Sequence, residues 1–418
     1  MTHVLDDLVA RGLVAHSTDI EALREALSAG PVTYYVGFDP TAPSLHVGNL
    51  LQILTARRLQ LAGHRPLILV GGSTGLIGDP KESGERSMNS RETVADWVDR
   101  IRAQVTRFVD FDGDNAATVV NNLDWTGQLN TIDFLRDIGK HFPVNRMLAR
   151  DVVSSRLESG ISYTEFSYVL LQSLDYLELH RRHGCVLQTG GSDQWGNLTA
   201  GVELVRRADG DRVHAFATPL ITKADGTKFG KTESGTIWLD PDLMSPYAFH
   251  QTWIQAEDSK VGEYLAQFTF LELSEIDALM AEHAEAPGRR VPQRRLAREL
   301  TTIVHGAAEA EAAEHAASAL FGKGELSDLP EATLAAALTE AGVATVPADA
   351  SVTDALVACG LVDSRSAARR TVLEGGAYMN NQRVDDPDAP VADAPRLAGG
   401  WTVLRRGKRA VAGVKLAP

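Results

Sequence analysis

The first candidates for chemistry are a histidine and a glycine, His46 and Gly48, at the start of an apolar helix pattern. A helix N-terminus directs free N–H groups and the positive end of its dipole outward, which suits a phosphate. His46 can donate a hydrogen bond to a phosphate oxygen, and Gly48 lets a nucleotide approach the backbone closely. The alternative is that His46 caps the helix while Gly48 only packs against the preceding strand. For this pair alone, the alternative is favoured.

Two lysines three residues apart, Lys228 and Lys231, are a second candidate. They lie in a polar loop flanked by Gly226 and Gly235. Lysines on a mobile loop can close over a triphosphate and stabilise the charge that develops on a leaving pyrophosphate. An isolated Lys-x-x-Lys is more often a solvated turn. The occurrence of both motifs in one chain favours nucleotide chemistry.

A third group lies within residues 121–182, whose pattern predicts a mainly helical region. Tyr168, Gln172 and Asp175 are spaced at i, i+4 and i+7, so a helix presents all three on one face. If Tyr168 and Gln172 are considered alone, a half-buried helix face with ordinary hydrogen bonds is the favoured explanation.

The elements that must position these residues alternate between strand and helix. Residues 33–38 are β-rich, an apolar helix pattern follows from residue 50, and residues 66–70 are a fully apolar strand pattern. This order predicts a parallel βαβ unit whose strands are buried on both faces. Gly-rich turns follow the predicted strands at 71–80 and 190–197. Open α/β sheets bind ligands at such strand ends, so we predict a doubly wound, Rossmann-like parallel sheet.

Together the motifs resemble the two signatures of class I aminoacyl-tRNA synthetases. His46-Val47-Gly48-Asn49 is similar to the His-x-Gly-His motif, and Lys228-Phe229-Gly230-Lys231-Thr232 is similar to the Lys-Met-Ser-Lys-Ser loop. Asn49 replaces the second histidine of the motif, although its amide can still donate a hydrogen bond. Three longer strings, at 71–80, 163–168 and 190–197, narrow the resemblance to bacterial tyrosyl-tRNA synthetases. The likeness extends from near residue 1 to the C-terminus.

This resemblance implies a site for L-tyrosine. In the family, the counterparts of Asp79, Tyr168 and Gln172 hold the amino group of tyrosine. The counterparts of Tyr35 and Asp175 form hydrogen bonds with its phenolic hydroxyl. Phenylalanine would leave that buried carboxylate and phenol unpaired, which is costly, and such a site therefore rejects phenylalanine.

The resemblance also implies that ATP is a substrate and that Mg²⁺ accompanies it. Gln194 matches a residue near the tyrosine carboxylate and the α-phosphate. Asp39 and Thr41 match residues near the adenylate and the phosphates, although Asp and Thr are also common in ordinary turns. The residues expected around ATP are Gly37, Asp39, Thr41, His46, Gly48, Asn49, Gly191, Asp193, Lys228 and Lys231. Lys81 and Arg86 are further candidates, on a loop that closes over pyrophosphate in the family.

The implied reaction needs no side-chain nucleophile. The carboxylate of tyrosine attacks the α-phosphorus of ATP, and the terminal ribose of the transfer RNA then takes the tyrosyl group. Thr41, His46, Lys228 and Lys231 are the expected catalytic residues, which position ATP and stabilise the departing pyrophosphate. No dedicated metal ligands are expected, because Mg²⁺ arrives with ATP.

The C-terminal segment differs from the rest of the chain in charge. Residues 351–418 hold ten Lys and Arg against seven Asp and Glu, whereas the whole chain has a formal net charge of −14. Arg365, Arg369 and Arg370 lie at the start of a predicted helix and along it. The segment resembles a small RNA-binding module that a ribosomal protein shares with bacterial tyrosyl enzymes and that reads structured RNA by shape and backbone. A solvated basic helix face is the alternative, but a second basic turn at 405–409 favours contact with transfer RNA.

We predict four segments. Residues 1–225 form the catalytic sheet, with a helical insertion around 125–165 through which the family implies a homodimer. Residues 226–321 hold the lysine loop and a helical domain. Residues 322–350 are predicted to form a linker, because they are acidic and rich in Ala, Gly and Pro. Residues 351–418 form a small α+β RNA-binding domain. We predict a cytoplasmic protein without a membrane partner. The two cysteines are far apart in sequence, the N-terminus is unlike a signal peptide, and the chain lacks a long apolar stretch.

Three other functions are compatible with parts of the chain. A tryptophanyl enzyme would share the catalytic fold, but Tyr35 and Asp175 favour tyrosine. A synthetase-like RNA-binding protein without catalysis would explain the altered first signature, although Lys228, Lys231 and Asp79 argue against it. A small-molecule nucleotidyltransferase would not need the arginine-bearing tail.

Overall fold

The structure is a computed structural model, and it describes residues 3–80, 84, 88–232, 235–407 and 410–417. The strands are β1 His16–Ser17, β2 Thr33–Phe38, β3 Arg65–Val70, β4 Thr118–Asn121, β5 Cys185–Gly191, β6 His214–Thr218, β7 Lys231–Thr232, β8 Gly235–Thr236, β9 Val343–Val346, β10 Ala377–Met379, β11 Gln382–Arg383, β12 Thr402–Arg406 and β13 Ala410–Leu416. In the part of the chain so described, no helix is long and apolar enough to cross a membrane.

Helices account for most of the remaining ordered chain. The α-helices are α1 Val4–Ala10, α2 Ile20–Ala29, α3 Val47–Leu61, α4 Thr74–Ile77, α5 Arg91–Val105, α6 Leu123–Thr126, α7 Thr131–Asp133, α8 Val144–Leu148, α9 Asp151–Ser154, α10 Tyr163–His183, α11 Trp195–Ala208, α12 Pro246–Ile254, α13 Val261–Phe268, α14 Leu273–Glu285, α15 Val291–His305, α16 Ala307–Leu320, α17 Glu331–Ala341, α18 Val352–Ala358 and α19 Arg365–Leu373. A π-helix, Phe134–Ile138, continues α7. Short 3₁₀ turns are Gly139–His141, Ser192–Gln194, Pro287–Arg289, Leu326–Asp328, Val391–Asp393 and Ala398–Gly400.

The chain divides into two compact units. The first unit comprises Met1–Asp240 and Gly262–Asp277, and the second comprises Pro241–Val261 and Ala278–Pro418. Each unit contains a sheet of its own and its own apolar cores.

The first unit is built around a sheet in the order β1-β6-β5-β2-β3-β4. All neighbouring pairs are parallel except β1 with β6, which confirms the predicted doubly wound sheet. Tyr34, Val36, Ile68 and Leu187 are at most 1% exposed, as expected for strands covered on both faces. From β2 the chain builds outward through β3 and β4, and it then returns to the other side of β2 as β5. The topological switch point therefore lies between β2 and β5, where such sheets bind ligands.

The second unit ends in a sheet in the order β11-β10-β12-β13-β9, and α18 and α19 pack against it. Val352, Leu356, Ala368 and Val372 are completely buried in its core. Ser351 starts α18 with a capping box, in which its hydroxyl accepts from Asp354 N and the Asp354 carboxylate accepts from Ser351 N. A small C-terminal domain with helices and strands is thus present, as predicted.

Residues 322–350 differ from the linker that we expected. They contain α17 and β9, and β9 pairs in parallel with β13 of the C-terminal sheet. Leu334, Ala337 and Leu338 are at most 1% exposed. Their i, i+3, i+4 spacing is that of an amphipathic helix. The composition of residues 322–350 is typical of a linker, but the spacing of their apolar residues indicates a packed helix.

Candidate active site

A cavity of about 520 Å³ in the first unit brings the predicted residues together at the carboxyl ends of β2 and β5. Lys231 begins β7, and its side chain is outside the described part of the structure. The predicted loop residues Lys81 and Arg86 also lie outside the described residues. The cavity wall includes Tyr35, Gly37, Asp39, Thr41, His46, Gly48, Asn49, Asp79, Tyr168, Gln172, Asp175, Gly191, Asp193, Gln194 and Lys228.

Asp175 and Tyr35 are buried side chains of the cavity wall, each 2% exposed. The Asp175 carboxylate accepts from Asn122 Nδ2 at 3.0 Å and from Trp125 Nε1 at 2.9 Å. Burial raises the pKa of Asp175 to about 8, although both hydrogen bonds oppose this shift. The Tyr35 hydroxyl is buried and has no hydrogen-bond partner among the described atoms. Burial, with the charge of Asp175, raises the pKa of Tyr35. A buried unpaired hydroxyl is unfavourable, which suggests that a ligand completes this part of the site.

Helix α10 supplies the polar face that the spacing predicted. The Ser162 hydroxyl caps its first turn by accepting from Glu165 N at 3.3 Å, and Gly184 ends it in the left-handed conformation with φ 62°. Tyr168 from this face donates to Asp39 Oδ2 at 2.7 Å, while the Gln172 Oε1 is buried without a partner among the described atoms. Burial, followed by the charge of Asp39, raises the pKa of Tyr168, which keeps its hydroxyl protonated as a donor.

Asp79 lies in a different hydrogen-bonded group. Its Oδ2 accepts from Gln194 Nε2 at 2.8 Å, and its Oδ1 accepts from Asn197 Nδ2 at 3.2 Å. The adjacent turn requires a glycine, because a Cβ at Gly191 would lie 2.6 Å from Asp193 Oδ1. Gln194, the hydrogen-bond partner of Asp79, directly follows Asp193, so the residues expected around the amino group of tyrosine adjoin those expected around ATP.

His46 caps α3 in this structure. Its Nδ1 accepts from Gly48 N at 3.0 Å, and the Asn49 Oδ1 accepts from His46 N at 3.0 Å. A Cβ on Gly48 would come within 2.8 Å of His46 Cε1, so the glycine makes room for the ring. Since Nδ1 accepts, a neutral His46 carries its proton on Nε2 and remains a donor. The structural and the functional interpretations of His46 are thus compatible.

The lysine loop contacts the same helix start. Phe229 N donates to Ile221 O at 2.8 Å, and Val47 N donates to Ile237 O at 3.0 Å. Gly230 has φ 101°, and a Cβ there would lie 2.7 Å from Val47 Cγ1. The two motifs are therefore in contact, and the exposed Lys228 lines the cavity that they share.

Several site residues were not found from the sequence. Thr74 donates to Asp39 Oδ1 at 2.6 Å, and Asn122 donates to both Thr74 Oγ1 and Asp175 Oδ2. Gln188 lines the cavity and has a buried Oε1 without a partner among the described atoms. A lone glutamine in an otherwise apolar strand pattern could have identified Gln188. Nothing in the local pattern identifies Asn122, because its partners lie about 50 residues away.

The three C-terminal arginines lie on α19 of the second unit and are all exposed. Arg365 Nε donates to Asp354 Oδ1 at 2.6 Å, and Arg369 forms an ion pair of 2.7 Å with Asp388. Exposed pairs of this kind contribute little free energy, so a phosphate could displace the carboxylates.

A parallel sheet with a polar cavity at its switch point, lined by a helix N-terminus and a lysine loop, defines a nucleotide-binding α/β protein. A family model described as class I tRNA synthetases (W and Y) matches residues 27–322, and a tyrosine–tRNA ligase SYY-like C-terminal domain matches residues 334–412. The chain belongs to the class I tRNA synthetases of this tryptophan and tyrosine family.

Known relatives of the whole chain are close. A tyrosine–tRNA ligase of Acidothermus cellulolyticus is 59% identical and one of Kineococcus radiotolerans is 61% identical, with at least 99% of both chains covered in each case. A C-terminally truncated mitochondrial tyrosyl-tRNA synthetase of Aspergillus nidulans is 30% identical, with a TM-score of 0.68 over 75% of this chain and 92% of that chain. A tryptophanyl-tRNA synthetase of Encephalitozoon cuniculi shares only the fold, at 13% identity and a TM-score of 0.54.

Proposed function

We propose that this protein activates L-tyrosine with ATP in the cavity of the first unit and transfers the tyrosyl group to its transfer RNA. It is an aminoacyl-tRNA ligase, and tyrosine–tRNA ligases of 59% and 61% identity match it over essentially its full length. The observation that supports tyrosine most directly is the buried pair of Asp175 and Tyr35, whose hydroxyl has no partner among the described atoms.

A phenolic hydroxyl suits this pair because it both donates and accepts a hydrogen bond. It can donate to the Asp175 carboxylate while accepting from the Tyr35 hydroxyl. An indole N–H can only donate, so tryptophan could pair with the Asp175 carboxylate or with the Tyr35 hydroxyl but not with both. Phenylalanine would satisfy neither group. The preference for tyrosine over both competitors therefore follows from the cost of leaving buried polar groups without partners.

The amino group of tyrosine is held by Asp79, Tyr168 and Gln172 in this proposal. Gln172 Oε1 has no partner among the described atoms and can accept from the ammonium group. Gln194 lies beside Asp79, near the expected position of the substrate carboxylate. When three side chains hold the ammonium group, the carboxylate of tyrosine can occupy only a small range of positions. This restriction favours its attack on the α-phosphorus of ATP.

ATP occupies the rest of the cavity. Gly191 and Asp193 hold the ribose, Gly37 and Asp39 lie beside the adenylate, and the start of α3 faces the phosphates with Gly48 and Asn49. His46, Thr41, Lys228 and Lys231 act on the departing pyrophosphate as hydrogen-bond donors and positive charges. None of them exchanges a proton with the reacting atoms.

Mg²⁺ enters as part of the ATP substrate. Among the described residues there is no group of three or more His, Cys, Asp and Glu side chains that could hold a metal ion. Mg²⁺ bound to phosphates usually keeps several waters and needs few protein ligands, so the side chains of the cavity fit this mode of binding.

Exchange of labelled pyrophosphate into ATP tests the activation step. We expect exchange when L-tyrosine is supplied, and much less with tryptophan or phenylalanine. Exchange with tryptophan but not tyrosine, or with no amino acid, would contradict the proposal. A Lys228→Ala variant should retain tyrosine binding while its exchange rate falls.

We also propose a homodimer formed through residues 125–165. This region exposes large apolar side chains, among them Ile132 at 68%, Val144 at 60% and Leu157 at 51%. Apolar side chains concentrated in one surface region indicate a protein interface. Sedimentation at micromolar concentration should give a dimer, and replacement of Ile132 and Val144 by Asp should shift it toward monomer. A monomer for the unmodified protein would count against the assignment.

A further inference from the structure

Asn197 occupies a buried position beside the proposed amino-group subsite. It lies in the first turn of α11 and is 2% exposed. Its Nδ2 donates to Asp79 Oδ1 at 3.2 Å and to Gln194 Oε1 at 2.8 Å. On its other side, the guanidinium of Arg150 donates to Asn197 Oδ1. The sequence motifs assigned no role to either Asn197 or Arg150.

The arginine determines which way the amide of Asn197 points. An asparagine side chain has one accepting and one donating end, whereas a guanidinium only donates. The Asn197 oxygen must therefore face Arg150, and its NH₂ group must face Asp79 and Gln194. If the amide were reversed, its oxygen would oppose the Asp79 carboxylate and its NH₂ group would oppose a cation.

Arg150 is itself held in place. Arg150 immediately precedes α9, and its guanidinium packs against the first turn of α11. A Cβ on Gly196 would lie 3.3 Å from Nη2 of Arg150. Burial lowers the pKa of Arg150 while the charge of Asp79 opposes this shift, so the side chain remains a cation. A cation beside Asp79 also balances part of the negative charge of the cavity, which includes Asp39 and Asp175.

We propose that Arg150 and Asn197 are positioning residues for recognition of the substrate ammonium group. Arg150 orients the Asn197 amide, and this amide, together with the Gln194 side chain that it contacts, holds the Asp79 carboxylate where the ammonium group binds. This inference rests on the proposed function, because Asp79 holds an ammonium group only if the ligand is an amino acid.

Binding of three ligands tests the inference. L-Tyrosine carries both an ammonium and a carboxylate group, tyramine carries the ammonium group alone, and 3-(4-hydroxyphenyl)propionate carries the carboxylate alone. In Asn197→Ala and Arg150→Met, we expect the dissociation constants of tyrosine and tyramine to rise about tenfold, the size of one hydrogen bond to a charged group. The constant for 3-(4-hydroxyphenyl)propionate should change by less than about twofold, because that ligand leaves the ammonium subsite empty. Arg150→Lys should restore part of the loss.

Tyr35→Phe is the matched control, since all three ligands share the phenol. It should weaken all three by a similar factor. If Asn197→Ala and Arg150→Met also weaken all three ligands equally, or weaken none, the inference is overturned. If Asn197→Ala unfolds, Arg150→Met decides, because Arg150 is only partly buried. If the unmodified protein binds none of these phenols, the proposed function itself fails, which is a distinct result.

Discussion

At the scale of single residues, the site depends on polar groups that the free protein leaves in unfavourable states. The Tyr35 hydroxyl lacks a partner among the described atoms, and burial raises the pKa of Asp175 to about 8. Both conditions improve when a phenol binds between them. Specificity thus comes at a cost to the stability of the free protein.

Removing the Tyr35 hydroxyl should separate stability from binding. Tyr35→Phe removes a buried hydroxyl that has no partner among the described atoms, so we expect the free energy of unfolding to stay equal or to rise by about 1 kcal/mol. The KM for tyrosine should rise roughly three- to tenfold because one hydrogen bond to the ligand is lost. Urea unfolding and pyrophosphate exchange measure the two effects. A less stable variant with an unchanged KM would show that the hydroxyl serves the fold instead.

Asp175 should make tyrosine binding depend on pH. A ligand hydroxyl that donates to the carboxylate favours its ionised form, so binding should lower the pKa from about 8 in the free protein. Tyrosine binding near pH 7 should therefore release protons, and affinity should increase as the pH rises from about 6 toward 8. Calorimetry in buffers of different ionisation enthalpy counts the released protons. Asp175→Asn should release none at this position, whereas proton uptake by the unmodified protein would refute the assignment.

At the scale of elements, helix ends and loops determine where the charged groups lie. The start of α3 carries His46 as its cap, and the lysine loop rests on Val47 of the same helix. The buried ion pair of Arg156 and Glu165, at 3.2 Å, connects the predicted helical insertion to α10, the helix that carries the proposed tyrosine-binding face. The cap of α3 and the ion pair at the start of α10 hold the side chains of these two helices in position before substrate binds.

Two substitutions of His46 should distinguish its cap from its action on ATP. Asparagine is among the best N-cap residues, so His46→Asn should stay within about 0.5 kcal/mol of the original stability. Its shorter side chain cannot replace the Nε2 donor, and the rate of pyrophosphate exchange should fall about 100-fold. His46→Ala should lose both the cap, at about 1 kcal/mol, and the rate. If His46→Asn retained full activity, capping alone would explain His46.

At the scale of the whole molecule, the residues proposed for activation and those proposed for RNA binding belong to different units. The cavity is lined entirely by residues of the first unit, and Arg365, Arg369 and Arg370 belong to the second. A truncation at residue 351 would be a poor test of this division. It would remove β13, the partner of β9, and would expose the core that contains Leu334 and Leu338.

Point substitutions test the RNA role without that damage. Replacing Arg365, Arg369 and Arg370 by Ala should raise the KM for transfer RNA. The slope of the logarithm of the binding constant against the logarithm of the salt concentration should become shallower by up to about 3, since each phosphate contact contributes about 1. Pyrophosphate exchange should be unchanged. The same three-charge change at Arg91, Arg100 and Arg102 on α5 is the control. Equal losses in both variants would indicate a general charge effect and not a defined surface.

Sequence patterns alone predicted much of the fold. The apolar runs of β2 and β3 specified buried parallel strands, and the i, i+4, i+7 spacing of Tyr168, Gln172 and Asp175 placed them on one helix face. These are local properties, because strand and helix periods depend on neighbouring residues. The strand β4 was missed because only four residues, Thr118–Asn121, carry its pattern. The helix α17 was not predicted, because the acidic, Ala-, Gly- and Pro-rich composition of residues 322–350 indicated a linker. The helical spacing of Leu334, Ala337 and Leu338 is the better indicator there.

What the sequence by itself determined was the kind of protein, its parallel sheet and most of the polar side chains that line its cavity. The motifs that carry this information are continuous in the chain. Only the tertiary structure decided how those residues meet: that Asn122 and Trp125 hold Asp175, that Tyr35 lacks a partner among the described atoms, and that Arg150 orients Asn197. These contacts join residues 47 to 53 positions apart. No local pattern encodes them, because hydrogen-bond partners across such separations are set by the packing of whole elements.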